Sequence, residues 1–241
     1  MTDSKFSYEK IVDPSRTAAS GLIKHSGCLD IFMDIAAVHS AMMGAGYYDL
    51  AAEGRFWITA KTRAVFYKRP KMMDKVTVTT WSRPPEFAKS DRHYAISDGE
   101  EVLVAGKTLW AVINLGTGKL ERADYVYPEG AVFDDDETVA EPYEKITDDF
   151  PEEPFGSYKV KSIDIDVGHH MNNVAYARAV ESLFSTEEWE TMDPRMIELQ
   201  FKSQCREGDV LEFKKREEGK KLFLKAENAG KTALLAVIER K

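Results

Sequence analysis

The same order of elements occurs twice along this chain, and that repetition limits the folds open to it more than any single motif does. In the first half, "CLDIFMDIAAVHSAMMGAGYYDLAAEG" carries apolar residues at helical spacing from Cys28 to Gly54 and predicts one long helix. Four segments follow it, "FWITAKTRAVFYKRP", "KVTVTTWSR", "RHYAISDG" and "VLVAGKTLWAVINLGTGKL", whose alternation and Gly-bearing turns predict antiparallel strands. The second half repeats the order, with "NNVAYARAVESLF" as helix, then "MIELQFKSQC", "DVLEFKKREEG", "KLFLKAENAG" and "TALLAVIER" as strands. Tyr67-Lys68 ahead of Asp74-Lys75-Val76 and Phe201-Lys202 ahead of Gly208-Asp209-Val210 share an offset of about 134 residues, as an internal duplication requires.

Between the repeats, residues 125 to 154 are strongly acidic, with Lys145 as the one base. Charge of one sign without apolar periodicity predicts a solvated interdomain linker, partly draped over the surface by Tyr125, Tyr127, Phe133 and Tyr143. The expected division is an N-terminal repeat over 1–128, an acidic linker over 129–155 and a C-terminal repeat over 156–241. A helix followed by a meander that curls around it is the hotdog arrangement. The fold class expected is therefore α+β, a tandem or double hotdog.

At 241 residues the chain can bury a sizeable core, and 43% hydrophobic with 11% aromatic content indicates a globular protein. The first thirty or so positions carry Asp3, Glu9 and Asp13, and no long uncharged apolar run occurs anywhere, so neither a signal peptide nor a membrane span is expected. Two cysteines, Cys28 and Cys205, are too few for a disulfide framework and agree with a reducing compartment. The expected location is the cytoplasm. A net charge of -8 argues against nucleic-acid binding, which calls for a basic excess.

The stretch "SIDIDVGHHMNNVAYARAVESLF" packs acids, two histidines and two asparagines just ahead of the second helix. Taken alone it has plain readings. Asn172-Asn173 before an apolar run is ordinary helix capping. His169 reads as a solvated loop histidine, and Cys205 as a buried, inert thiol. A zinc site would need further ligands, and five histidines with two distant cysteines do not supply them, so no metal or cofactor is expected.

Over nearly its whole length the chain resembles the bacterial and plastid fatty acyl-ACP thioesterases. The residues that carry the resemblance are "DIDVGHHMNNVAYARAVES", "LQFKSQCREGDVL", "RAVFYKRPKMMDKVTVTTW" and "LWAVINLGTGKLERA". The family pattern D-x-N-x-H-x-N-N-x-x-Y is met by Asp166, His170, Asn172, Asn173 and Tyr176. It is broken at Gly168, where the family has Asn, and Gln204 replaces the Glu that precedes the family cysteine. The resemblance, not the spacing, gives Asp166 and His170 a catalytic reading.

What it implies is hydrolysis of the thioester of fatty acyl-ACP in fatty acid biosynthesis, with release of free fatty acid and holo-ACP. Such a reaction needs the carbonyl oxygen polarised while a nucleophile attacks carbon, and unsatisfied N–H groups at a helix start suit the oxyanion. The roles implied are Asp166 as base or water-holder, His170 as its hydrogen-bonding and charge-stabilising partner, Gln204 as positioner and Cys205 as an accessory. Gly168, Asn172 and Asn173 would shape or cap the substrate-positioning turn, while Asp164 reads as structural. Gly168 removes a member of a Cys-His-Asn triad, and Gln204 removes the second acid of a two-carboxylate mechanism, since an amide cannot accept a proton at neutral pH.

The implied partner is acyl carrier protein with a phosphopantetheine-linked acyl chain, with neither nucleic acid nor membrane, and a homodimer is the assembly considered. Lys61, Arg63, Lys68, Arg69 and Lys71, with Arg178, Lys202 and Arg206, are candidate docking cations. An acyl tunnel is expected in the first repeat, lined from among Ile31, Phe32, Ile35, Met42, Met43, Trp57, Ile58, Phe66 and Trp110. The rival readings are an acyl-CoA thioesterase, a hotdog dehydratase and a non-catalytic acyl-binding protein.

Overall fold

The structure, a computed structural model, describes residues 3–241 and falls into two units that meet in sequence at Glu141 and Pro142. The first unit runs β1 (Lys5–Ile11), α1 (His25–Met42), α2 (Tyr47–Ala52), β2 (Arg55–Phe66), β3 (Lys75–Ser82), β4 (Lys89–Ser97), β5 (Val102–Asn114) and the short β6 (Leu120–Glu121). The second runs β7 (Gly156–Lys159), α3 (Asn173–Glu181), α4 (Thr186–Met192), β8 (Pro194–Phe201), β9 (Val210–Glu218), β10 (Lys221–Asn228) and β11 (Lys231–Arg240). The strand order is β1-β3-β4-β5-β2 in the first unit and β7-β9-β10-β11-β8 in the second, antiparallel throughout. In each, a leading strand pairs with the second strand of the meander, and the last strand returns to the first. The chain is a double hotdog.

The leading strands β1 and β7 carry no signal strong enough to read from sequence, whereas the helix α4, also outside the expected elements, starts at a capping box of Ser185 and Glu188. β1 is "KFSYEKI", mostly polar, and β7 is only "GSYK". Both are fixed by pairing, as Tyr8 with Val78 and Tyr158 with Leu211, and not by local preference. β3 shows the clearer case, since Val76, Val78 and Thr80 are buried while Thr77 and Thr79 are only partly so, the period-two pattern of a strand with one face on a core.

The expected single helix over residues 28 to 54 is two helices. Apolar spacing continues across the break and hides it. Gly44 takes a left-handed φ of 71°, and α2 restarts at Tyr47 with the Asp49 carboxylate accepting the Gly46 N–H at 2.9 Å. α1 buries Ile31, Phe32 and Ile35 completely, each contributing about 1.5–3 kcal/mol of apolar burial. The Phe32 ring stacks on Tyr94 at 4.6 Å and lies so close to β5 that a Cβ on Gly106 would meet its Cε2 at 2.3 Å. Gly106 is therefore a packing requirement in mid-strand.

Residues 129–155 hold neither helix nor strand, yet much of the run is tied to one unit or the other. Before Glu141, the Trp81 indole donates to the Asp136 carbonyl at 2.9 Å, Thr138 Oγ1 to the Gly106 carbonyl at 2.9 Å, and Lys107 Nζ to the Glu141 carbonyl at 2.5 Å. Val139 is buried. After Pro142, Lys221 pairs with Glu144 at 2.6 Å and Lys225 with Asp148 at 2.5 Å. The strands of each unit supply the cations that a count of the segment's own charges does not include. No helix among the described residues is long and apolar enough to cross a membrane.

Candidate active site

The second unit holds the residues expected in the site, and Asp166, Gly168 and His170 lie on one tight turn. Ile165 and Met171 form an isolated antiparallel bridge, with the Asp166 N–H donating to the His170 carbonyl at 3.0 Å and the Asn172 N–H to the Asp164 carbonyl at 2.7 Å. Inside the bridge, the His169 N–H donates to the Asp166 carbonyl at 3.0 Å, and Asp166 Oδ1 accepts the Gly168 N–H at 2.8 Å. Gly168 is thus the donor that fixes the Asp166 carboxylate. Oδ2 carries no protein hydrogen bond among the described residues, so the half-buried carboxylate keeps one oxygen for a water.

His169 is exposed and takes a left-handed φ of 59°, a conformation that costs a non-glycine residue about 1–2 kcal/mol. His170 is half-buried. Its link to Asp166 runs through the backbone. Asn172 is the N-cap of α3, its Oδ1 accepting the Val174 N–H at 2.8 Å, and its carbonyl takes the Ala175 N–H at 2.9 Å. Asn173 opens the helix. The Met171 N–H donates to the Cys205 carbonyl at 2.8 Å, which brings the loop after β8 against the turn. Of the N–H groups from Gly168 to Asn172, that of His170 alone has no protein acceptor among the described residues. The His170 N–H is thus the open donor of this turn.

Cys205 lies in this loop and not on the strand expected from "MIELQFKSQC", because β8 ends at Phe201. It is fully buried, and burial pushes its thiol above the ordinary cysteine range, only partly offset by a hydrogen bond from Tyr176. The neighbouring Gln204 is exposed. Asp164 is buried and occupied, accepting the Tyr158 hydroxyl at 2.9 Å and the Lys161 N–H at 2.8 Å. Burial, then the bond to Asp164, pushes the Tyr158 phenol up to about 12. Tyr158 and Tyr176 brace the site from behind, and sequence reasoning assigned neither a role. Tyr176 stands on the buried face of α3, four residues after the N-cap, with its ring 5.5 Å from Phe201 and its hydroxyl 3.3 Å from the Ser203 carbonyl.

The first unit contains the same turn without the chemistry. Ala18 N–H donates to the Leu22 carbonyl at 2.8 Å, Gly21 N–H to Ala18 at 3.0 Å, Ile23 N–H to Pro70 at 2.9 Å and Lys24 N–H to Arg16 at 2.8 Å. Ala18, Leu22 and Pro70 thus stand where Asp166, His170 and Cys205 stand. Gly21, with φ of 78°, occupies the position that His169 takes with strain. The backbone scaffold is common to both repeats, and only the second carries an acid and an imidazole on it.

The docking run is split by burial. Arg63 and Arg69 point inward, donating to the Glu141 carbonyl at 3.2 Å and the Ile23 carbonyl at 3.2 Å. Lys68 and Lys71 are exposed, as are Arg178, Lys202 and Arg206 in the second unit. Among the described residues, no group of three or more His, Cys, Asp or Glu side chains could hold a metal ion.

The first unit holds a partly open cavity of about 170 Å³. Of the residues expected to line a tunnel, Trp57 and Trp110 do so, while Ile31, Phe32, Ile35 and Phe66 are packed in the core. The wall that α1 supplies is a different helical face, Met33, Ala36, Ala37 and Ser40. Ser90 and Arg92 line the cavity from β4.

Residues 5–128 match the family model described as the acyl-ACP thioesterase N-terminal domain, and residues 148–239 that of its C-terminal domain. The chloroplastic acyl-[acyl-carrier-protein] hydrolase FATB3 of Cuphea viscosissima is 25% identical over 223 residues, covering 86% of this chain and 52% of its own length. The chloroplastic oleoyl-acyl carrier protein thioesterase 2 of Arabidopsis thaliana is 25% identical over 169 residues, covering 65% of this chain and 46% of its own. The chain therefore spans about half the length of these plant relatives. In fold it is similar to an acyl-ACP thioesterase from Bacteroides thetaiotaomicron, with a TM-score of 0.88 at 20% identity over 99% of this chain and 98% of that one. A 12:0-ACP thioesterase from Umbellularia californica gives 0.86 at 18% identity over 100% and 98%.

Proposed function

The chain belongs to the acyl-ACP thioesterase family, and from that premise we propose that it hydrolyses the thioester of fatty acyl-ACP, releasing free fatty acid and holo-ACP. The observation that carries this reading is the contrast between the two turns. One backbone design occurs twice, and the copy at residues 165–171 alone bears Asp166 and His170.

In the reaction proposed, the thioester carbonyl oxygen lies against the His170 N–H, which stabilises the oxyanion as it forms. A water held by the open oxygen of Asp166 attacks the carbonyl carbon and gives up its proton to that carboxylate. Collapse of the tetrahedral intermediate breaks the carbon–sulfur bond, and the proton passes to the departing thiolate. The His170 imidazole stabilises charge beside the turn, and Gln204 positions the water or the carbonyl. Cys205 is kept from attack, since it is buried and its raised pKa holds it as the thiol.

Exposed Arg178, Lys202 and Arg206 give the unit that carries the site positive charge for an acidic carrier. The cytoplasm, and a homodimer, belong to the same proposal; sedimentation mass reads the second. Thiol release from matched acyl-ACP, acyl-CoA and 3-hydroxyacyl-ACP tests the reading. We expect kcat/KM to be highest on acyl-ACP. Equal or faster turnover of acyl-CoA would replace the carrier preference, and no release from any of them would leave a binding protein.

A further inference from the structure

The polar side chains in the wall of the first unit's cavity do not suit a plain hydrocarbon. Arg92 is 2% exposed and lines the cavity, in a wall otherwise made largely of Met33, Leu50, Phe56, Trp57 and Trp110. Its guanidinium donates to His39 Nδ1 at 2.9 Å, to Ser40 Oγ at 2.9 Å and weakly to Thr80 Oγ1 at 3.4 Å. No carboxylate pairs with it among the described residues. His39 is itself neutral, because burial, followed by the charge of Arg92, lowers its pKa to about 4. A buried guanidinium surrounded only by neutral groups is an uncompensated charge. Ser90 Oγ and the Tyr127 hydroxyl, 3.0 Å apart, add further polar atoms to the same cavity.

We propose that this cavity binds an aliphatic chain ending in a carboxylate, with the carboxylate against Arg92 and the chain along the apolar wall. The cavity of about 170 Å³ is more than ten times the roughly 10–15 Å³ that a single water needs, so it has room for a short aliphatic segment with its carboxylate. Two sources supply this chemistry: the far end of a dicarboxylic half-thioester, or a free fatty acid entering carboxylate first. The inference rests on the reading that the first unit takes the acyl chain, and the experiment separates the two.

Trp57 and Trp110 line the cavity, so tryptophan fluorescence titrations with hexanoate and with hexan-1-ol report binding directly. We expect hexanoate to bind the unaltered protein about tenfold or more tightly than hexan-1-ol, as a charge-assisted pair requires. Arg92→Met should abolish that preference and Arg92→Lys should restore part of it. Equal affinity for acid and alcohol overturns the proposal, even if Arg92→Met does not fold, because that comparison needs no variant. If neither probe binds while octanoyl-ACP is still hydrolysed, the chain lies elsewhere and the proposal fails without the thioesterase reading. The source is read from turnover. Faster hydrolysis of octanedioyl-ACP than of octanoyl-ACP assigns the carboxylate to the substrate, and competitive inhibition by hexanoate without that preference assigns it to a free acid.

Discussion

Asp166→Asn separates the two jobs the structure gives this carboxylate. Oδ1 accepts the Gly168 N–H at 2.8 Å, and an asparagine oxygen can accept the same bond, so the turn keeps its internal support. That bond fixes which way the amide faces, and the NH2 group must then stand where Oδ2 stood. A donor replaces the acceptor at the one position left for a water. The stability cost is the difference between a charged and a neutral acceptor, about 1 kcal/mol. Loss of a general base costs 10²–10⁴ in rate, about 3–5 kcal/mol. The effect on kcat should therefore exceed the effect on stability at least threefold in free energy. Asp166→Ala is the poorer probe, since it also removes the acceptor for Gly168. The assay is kcat on acyl-ACP beside a denaturant midpoint and the affinity for acyl-ACP. A stable variant retaining more than about a tenth of wild-type kcat, far above the expected loss, would take the base role away from Asp166 and return it to His170 or to another group.

Cys205→Ala should keep most of the activity, and iodoacetamide should react slowly, because the thiol is fully buried and its pKa is raised; an acyl adduct on Cys205 in a mass spectrum of stalled turnover would contradict this. Gly106→Ala places a Cβ at 2.3 Å from Phe32 Cε2 and should destabilise the first unit by about 1–3 kcal/mol or more, read from the shift in denaturant midpoint. His39 and His93 are both buried in the first unit, and burial lowers both pKa values to about 4 from 6.5. A depressed histidine pKa makes the unfolded chain bind the extra protons, so stability is fully present above about pH 6.5 and falls as pH drops toward 4, by up to about 1.4 kcal/mol per pH unit for each histidine. Replacing both by Gln should flatten the stability profile across that window, and an unchanged slope would refute the assignment.

The repeat of helix and meander was legible because it rests on patterns that act locally. Alternation along β3 and helical spacing along α1 each appear in a short window. What escaped that reading has a physical reason in each case. β1 and β7 are held by pairing partners far away in sequence. The break between α1 and α2 depends on Gly44 taking a left-handed conformation, which the identity of the residue permits but does not demand. Arg92 offered a clue, since it shares a strand face with Ser90, Tyr94 and Ile96, all buried; an inward charge at an apolar parity marks either a pair or a ligand.

For the site, the sequence by itself determined which residue types are available and that one segment gathers two acids, two histidines and two asparagines. It also determined that no thiol triad with Asn at position 168 can exist. Only the tertiary structure decided how those groups divide the work. Asp164 and Asp166 are two residues apart and look alike in sequence, yet the first is closed off by Tyr158 and Lys161, and the second keeps an oxygen open. His170 gains its role through a backbone N–H left over after Gly168, His169, Met171 and Asn172 have found acceptors, one of them on Cys205 in a loop beyond β8. Those assignments depend on which carbonyl each N–H meets in three dimensions, and the carbonyl that takes the Met171 N–H lies more than thirty residues away in sequence.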